Sequence, residues 1–98
     1  MTAVTYPFDV KILIEICRKN DVTRIGVFGS SARGDATEGS DIDLIVEFSK
    51  RKSLLAVVAL ERKISAVIGR KVDLLTEAAL SPYLRGRILQ ELQVIYEA

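Results

Sequence analysis

The sequence predicts an α+β (mixed α/β) domain: a mixed sheet of about four strands flanked by helices. Three observations carry that prediction. Short runs rich in Val, Ile, Leu and Phe alternate with longer stretches whose apolar residues recur at helical spacing. Turn residues separate these runs, at Asn20-Asp21, Gly29-Ser30, Asp35 to Ser40, Gly69 and Ser81-Pro82. The apolar fraction of 49% is enough for one modest core in 98 residues and too high for a disordered chain.

The first element is a helix over about Phe8 to Lys19. Val10, Leu13, Ile14 and Cys17 fall at i, i+3, i+4 and i+7, and Asp9 lies near the start. Asn20-Asp21 ends it. Arg24 to Phe28 reads as a short buried strand that stops at Gly29-Ser30, and Ser30 to Arg33 as a helical turn. Asp35 to Ser40 is a polar loop. Asp41 to Phe48 is the second strand. Its nearly continuous apolar middle fits a strand covered on one face and partly on the other.

Ser53 is placed to cap a helix running to about Ile68, with Gly69 as its stop. Leu54, Val57, Val58, Glu61, Ile64 and Val67-Ile68 form its stripe. Lys71 to Leu75 is the third strand. Ser81 as cap and Pro82 at the first helical position open a helix to about Leu92. Val94-Ile95-Tyr96 is either the frayed end of that helix or a short edge strand. Residues 1–98 read as a single domain, without repeat or internal linker.

Composition removes several function classes. A net charge of +1 argues against a broad basic surface, so nucleic acid is not expected as a direct partner. No apolar stretch is long enough to span a membrane and no signal-peptide core is present, so a cytoplasmic location is expected. Cys17, the single cysteine, has no internal disulfide partner and suits a helix core. The chain has no histidine, which excludes imidazole acid–base chemistry and His-ligated zinc. Any metal would be held by oxygen, with Mg²⁺ or Mn²⁺ the natural choice.

The chemistry-bearing pattern is Gly29-Ser30, ten residues, then Asp41-Ile42-Asp43. Residues at i and i+2 of a strand share a face, so Asp41 and Asp43 can reach one metal cluster. Their mutual repulsion is relieved by a divalent cation. Asp73, acidic within an apolar strand, is the third candidate, as a metal ligand or as acceptor of a proton from an attacking hydroxyl. Gly29 lets backbone approach an anion, Ser30 adds a hydroxyl, and Arg33 can neutralise triphosphate charge. The loop is not a Walker loop, because no Gly-Lys-Ser/Thr follows.

Each piece has a plainer reading. Paired acids and Gly-Ser are common in turns. Asp73 can pair with Lys71 or Arg70, and Arg33 with Asp35 or other loop carboxylates. Lys50-Arg51-Lys52 reads as a solvated cluster, with an acidic partner or RNA as the alternative. Arg85 and Arg87 are expected on an exposed helix face, and Tyr6, Tyr83 and Tyr96 to be half-buried. The joint order of strand, Gly-Ser, loop, Asp-x-Asp strand, helix and acidic strand favours the functional reading.

Val27 to Ala36, followed by Gly39-Ser40-Asp41-Ile42-Asp43-Leu44, resembles the signature of the polymerase-beta-like nucleotidyltransferase superfamily. Nearly the whole chain is similar to its minimal nucleotidyltransferase (MNT) branch, including the spacing to Val72-Asp73-Leu74. The resemblance implies the small nucleotidyltransferase fold, with Asp41, Asp43 and Asp73 as catalytic, metal-binding carboxylates and Gly29 and Ser30 at the nucleotide. It implies two Mg²⁺ ions, ATP as substrate, and transfer of AMP to an acceptor hydroxyl with release of pyrophosphate. Members of this branch often serve as antitoxins beside a HEPN toxin, several silencing it by adenylylating a tyrosine. All three acids and the Gly-Ser are present, which favours an active enzyme.

A domain this small leaves no room for a separate acceptor-binding module, so the expected acceptor is a macromolecule, met through apolar residues near Leu54-Leu55 or Leu80-Tyr83, or within a homo- or hetero-oligomer. The competing reading is a binding module that neutralises its partner by occlusion, with the nucleotide site structural or sensory.

Overall fold

The computed structural model describes Tyr6, residues 8–34 and residues 39–98. The polar loop expected over Asp35 to Ser40 therefore lies mostly outside the described residues. The elements are α1 (Val10–Lys19), β1 (Val22–Phe28), α2 (Ser30–Arg33), β2 (Ile42–Phe48), α3 (Leu54–Ile68), β3 (Val72–Thr76), a short 3₁₀ turn (Glu77–Ala79), α4 (Pro82–Glu91) and β4 (Gln93–Glu97).

Local chemistry sets most boundaries. Asp9 caps α1 by accepting from Lys11 N, so the helix starts at Val10 and not at Phe8. Ser53 caps α3 by accepting from Ala56 N, and Gly69 closes it in the left-handed conformation. Ser81 and Pro82 open α4 as their positions require. Val94-Ile95-Tyr96 belongs to a strand, not to a frayed helix end. Leu92 already leaves helical geometry (φ −61°, ψ 128°), and β4 pairs antiparallel with β1.

The sheet order is β3-β2-β1-β4. β1 is antiparallel to β2 and β4, while β2 and β3 are parallel, joined through α3. Strand alternation divides the sheet into two chemically different faces. Ile25 and Val27 of β1, Ile42, Leu44 and Val46 of β2, and Val72 and Leu74 of β3 form one buried face. Leu13, Ile16 and Cys17 of α1 and Val57, Leu60 and Ile64 of α3 pack against it. Burial pushes the Cys17 thiol up to about 11, so at neutral pH it is an uncharged core residue. The alternate positions, including Asp43 and Asp73, face the other side.

On that other side α4 makes a thin cover, with no buried residue of its own. Gly26 makes room for the chain entering β4. A Cβ there would lie 2.6 Å from Leu92 Cδ1 and 3.0 Å from the Gln93 carbonyl oxygen. Tyr83 is 95% exposed on α4, against the expectation that all three tyrosines are half-buried. It follows the exposed Ser81-Pro82 start of a helix that has no buried residue.

β3 is a sheet edge, and α3 blunts it. Ser65 Oγ accepts from Val72 N at 3.2 Å and Glu61 Oε2 from Leu74 N at 2.8 Å. Outward N–H groups that would otherwise template another strand are thereby occupied. Among the described residues, no helix is long and apolar enough to cross a membrane.

Candidate active site

Phe28, Asp43 and Asp73 lie at one level of the sheet. Phe28 is opposite Asp43 across β1 and β2, and Asp43 is opposite Asp73 across the parallel pair β2 and β3. Directly opposed residues project to the same face, so the two carboxyls share one side of the sheet. Burial first, then the charges of Asp73 and Asp41, hold the Asp43 carboxyl above its ordinary value; the Arg33 guanidinium pulls it down.

Asp41 stands just before β2 and adds its charge to Asp43. Its Oδ2 lies 3.5 Å from Lys71 Nζ, in a pair open to solvent on both sides. Lys71, offered by the sequence as a partner for Asp73, thus pairs with Asp41. Arg70 donates instead to the Ser40 carbonyl at 2.7 Å. Among the described residues, no three acidic, histidine or cysteine side chains converge closely enough to hold an ion as they stand. The structure brings Asp43 and Asp73 together and leaves Asp41 beside them on Lys71.

This donor set suits a hard divalent cation. Two part-buried carboxyls opposed at one level of the sheet can serve as paired oxygen ligands for Mg²⁺ or Mn²⁺, and a cation would remove the repulsion between them. Asp41 is restrained by an exposed ion pair of the kind worth about 0–1 kcal/mol.

Gly29 adjoins this pair. Its φ of 73° and ψ of −147° lie in a region essentially reserved for glycine. A Cβ on it would sit 2.5 Å from Asp43 Oδ2. The position therefore needs glycine twice, for its backbone and for its proximity to the carboxylate. From Gly29 the chain turns into α2, where Ala32 N and Arg33 N both donate to the Gly29 carbonyl at 3.1 Å. Ser30 is half-buried at the start of this turn. Ser31 is buried at 5% exposure, and its Oγ has no hydrogen-bond partner among the described residues.

Arg33 ends the turn. Its Nη1 donates to both carboxylate oxygens of Glu91, at 3.2 and 3.1 Å. Sequence reasoning missed Glu91, which is 58 residues away and enters the site only because α4 returns toward the end of β1. No local signal marks it.

Residues 10–95 match the family model described as "Nucleotidyltransferase domain". A Methanocaldococcus jannaschii protein, named as a candidate protein adenylyltransferase, is 46% identical over 79 residues, covering 81% of this chain and 85% of the relative. Protein adenylyltransferase MntA of Thermococcus cleftensis is 39% identical over 82 residues, covering 84% and 81%. In fold, the chain is similar to one in the solved complex of a tri-AMPylated Shewanella oneidensis HEPN toxin with its MNT antitoxin. The TM-score is 0.71 at 21% identity, over 91% of this chain and 70% of that one. With the Gly-Ser turn and the aspartates placed together at one end of the sheet, and the family model matching residues 10–95 of the 98, the chain belongs to the nucleotidyltransferase-domain family.

Proposed function

We propose that this chain, acting as a single minimal domain, is a Mg²⁺-dependent protein adenylyltransferase and an antitoxin. It moves AMP from ATP to a protein hydroxyl, a tyrosine of a HEPN-type toxin encoded beside it. The observation that carries the reading is the Asp43–Asp73 pair, opposed across parallel strands and walled by Gly29. The names of the relatives and the AMPylated partner in the structural neighbour support the choice of AMP and of a HEPN-type acceptor.

In this reading Asp41, Asp43 and Asp73 hold the metal, with two Mg²⁺ ions expected and Mn²⁺ as a substitute. When bound, the metal neutralises the triphosphate and the departing pyrophosphate. The Gly29-Ser30 turn holds phosphate oxygens through backbone N–H groups and the Ser30 hydroxyl. Arg33, beside Asp43, adds positive charge. The acceptor oxygen attacks the α-phosphorus, the bond to the β-phosphate oxygen breaks, and pyrophosphate leaves. Asp73 is placed to take the acceptor's proton. Leu54 and Leu55, 78% and 81% exposed, give apolar surface for contact with a macromolecular acceptor.

The two adjacent serines separate these roles. Ser30→Ala is expected to raise the KM for ATP by about tenfold to a hundredfold, the worth of a hydrogen bond to a charged group. Ser31→Ala is expected to leave KM unchanged and the thermal midpoint equal or slightly higher, because it removes a buried hydroxyl without a partner. Titrating ATP in a transfer assay and melting both variants checks this.

The second reading is occlusion without catalysis. It is favoured by the pairing of Asp41 with Lys71. Co-expression with the HEPN-type neighbour decides between them. Under the catalytic reading the unvaried chain restores growth and Asp43→Asn does not. Equal rescue by Asp43→Asn would establish occlusion.

A further inference from the structure

Among the described residues, Gln93, the first residue of β4, is a junction between three segments far apart in the chain. Its Nε2 donates to the Ala32 carbonyl in α2 at 2.9 Å. Its Oε1 accepts from the Tyr6 hydroxyl at 2.7 Å. Both bonds are part-buried, and Tyr6 is itself held by stacking on Phe8, with ring centroids 5.4 Å apart. Two residues earlier, Glu91 holds Arg33. The C-terminal segment thus grips the α2 turn at two successive residues, Ala32 and Arg33.

The grip matters because α2 is only four residues long. A helix this short has little stability of its own, so its position must come from outside contacts. α2 carries Ser30 and Arg33, and it follows Gly29, which abuts Asp43. A carboxamide suits the post at Gln93 because one end donates and the other accepts. Backbone pairing fixes its own place, with Gln93 opposite Val27 on β1.

We infer that Gln93 is a positioning residue for nucleotide binding: its carboxamide locks the α2 turn to β4 and Tyr6, and so sets where the turn presents its donors relative to Asp43 and Asp73. The inference rests on the nucleotidyltransferase reading above. Gln93 touches no substrate in this account; it acts through Ala32 and the turn.

The test is binding of a fluorescent N-methylanthraniloyl ATP with Mg²⁺, together with KM and kcat for transfer. Gln93→Met keeps the length of the side chain and removes both hydrogen bonds. It is expected to raise the nucleotide Kd and the KM for ATP about tenfold, with a smaller change in kcat. Tyr6→Phe removes one hydroxyl without changing shape. It is expected to raise the same two constants about threefold. Gln93→Glu keeps the acceptor for Tyr6 but sets a carboxylate against the Ala32 carbonyl, and is expected to bind no better than Gln93→Met. A melting point lowered with unchanged Kd and KM in Gln93→Met would make the residue merely structural and overturn the inference. If Gln93→Met does not fold, an unchanged Kd in Tyr6→Phe overturns it. Failure of the unvaried chain to bind the ATP analogue would instead overturn the nucleotidyltransferase reading itself.

Discussion

Asp43→Asn is expected to abolish nucleotide transfer while making the metal-free protein more stable. Burial, and then the charges of Asp73 and Asp41, raise the proton affinity of Asp43. The raised value means that the folded state binds this proton more tightly than the unfolded chain. Stability from this group is therefore fully present below the ordinary aspartate value and is lost as pH rises through the raised one. At neutral pH without metal the ionised carboxylate is a local liability, and the neutral amide removes it. In EDTA the melting point of Asp43→Asn should exceed that of the unvaried chain at pH 7, with the gap closing toward pH 4. Mg²⁺ should raise the melting point of the unvaried chain and not that of the variant. Transfer should fall by about 10³-fold or more, since a catalytic metal contributes several kcal/mol and each 1.36 kcal/mol is tenfold in rate. A variant that melts lower than the unvaried chain at pH 7 in EDTA would contradict the electrostatic account of the site.

Gly29→Ala carries the second large effect. The backbone conformation there disfavours any side chain by about 1–3 kcal/mol, and the added methyl would collide with Asp43 Oδ2. The first term lowers the melting point by about 4–8 °C per kcal/mol in a domain of this size. The second displaces the carboxylate proposed to hold the metal, and about 1 Å of misplacement at a reacting centre can cost 10²-fold. Gly34→Ala is the matched control. Gly34 also has positive φ, at 80°, but a Cβ on it meets no described residue within 4 Å. Gly34→Ala should lose stability and keep its transfer rate. Equal losses of activity in the two variants would show that the contact with Asp43 is not what matters at Gly29.

Much of this site was legible in the sequence because its parts are local. Gly29-Ser30 follows one strand, Asp41 stands just before the next and Asp43 lies within it, so spacing brings them to one end of the sheet. Asp73 required one further step, that β3 lies beside β2, and the structure puts Asp73 opposite Asp43. The rest depends on contacts between distant segments. The Arg33 partner, Glu91, and the Ala32 partner, Gln93, come from the last helix and strand. Val94-Ile95-Tyr96 was ambiguous because a three-residue apolar run after a helix fits either state. Pairing with β1, opened by Gly26, decides it. Glu61 falls within the apolar stripe of α3. It accepts from Leu74 N at the sheet edge, a duty no periodicity reveals. Asp41 also escaped the pattern, since alternation places its face but not its choice of Lys71.

The most direct test combines the purified chain, the proposed HEPN-type partner, Mg²⁺ and α-labelled ATP, and reads intact masses, with Asp43→Asn and EDTA as controls. The account predicts AMP added to a tyrosine of the partner, absent from both controls. A stable complex of the two proteins with no added mass would contradict it.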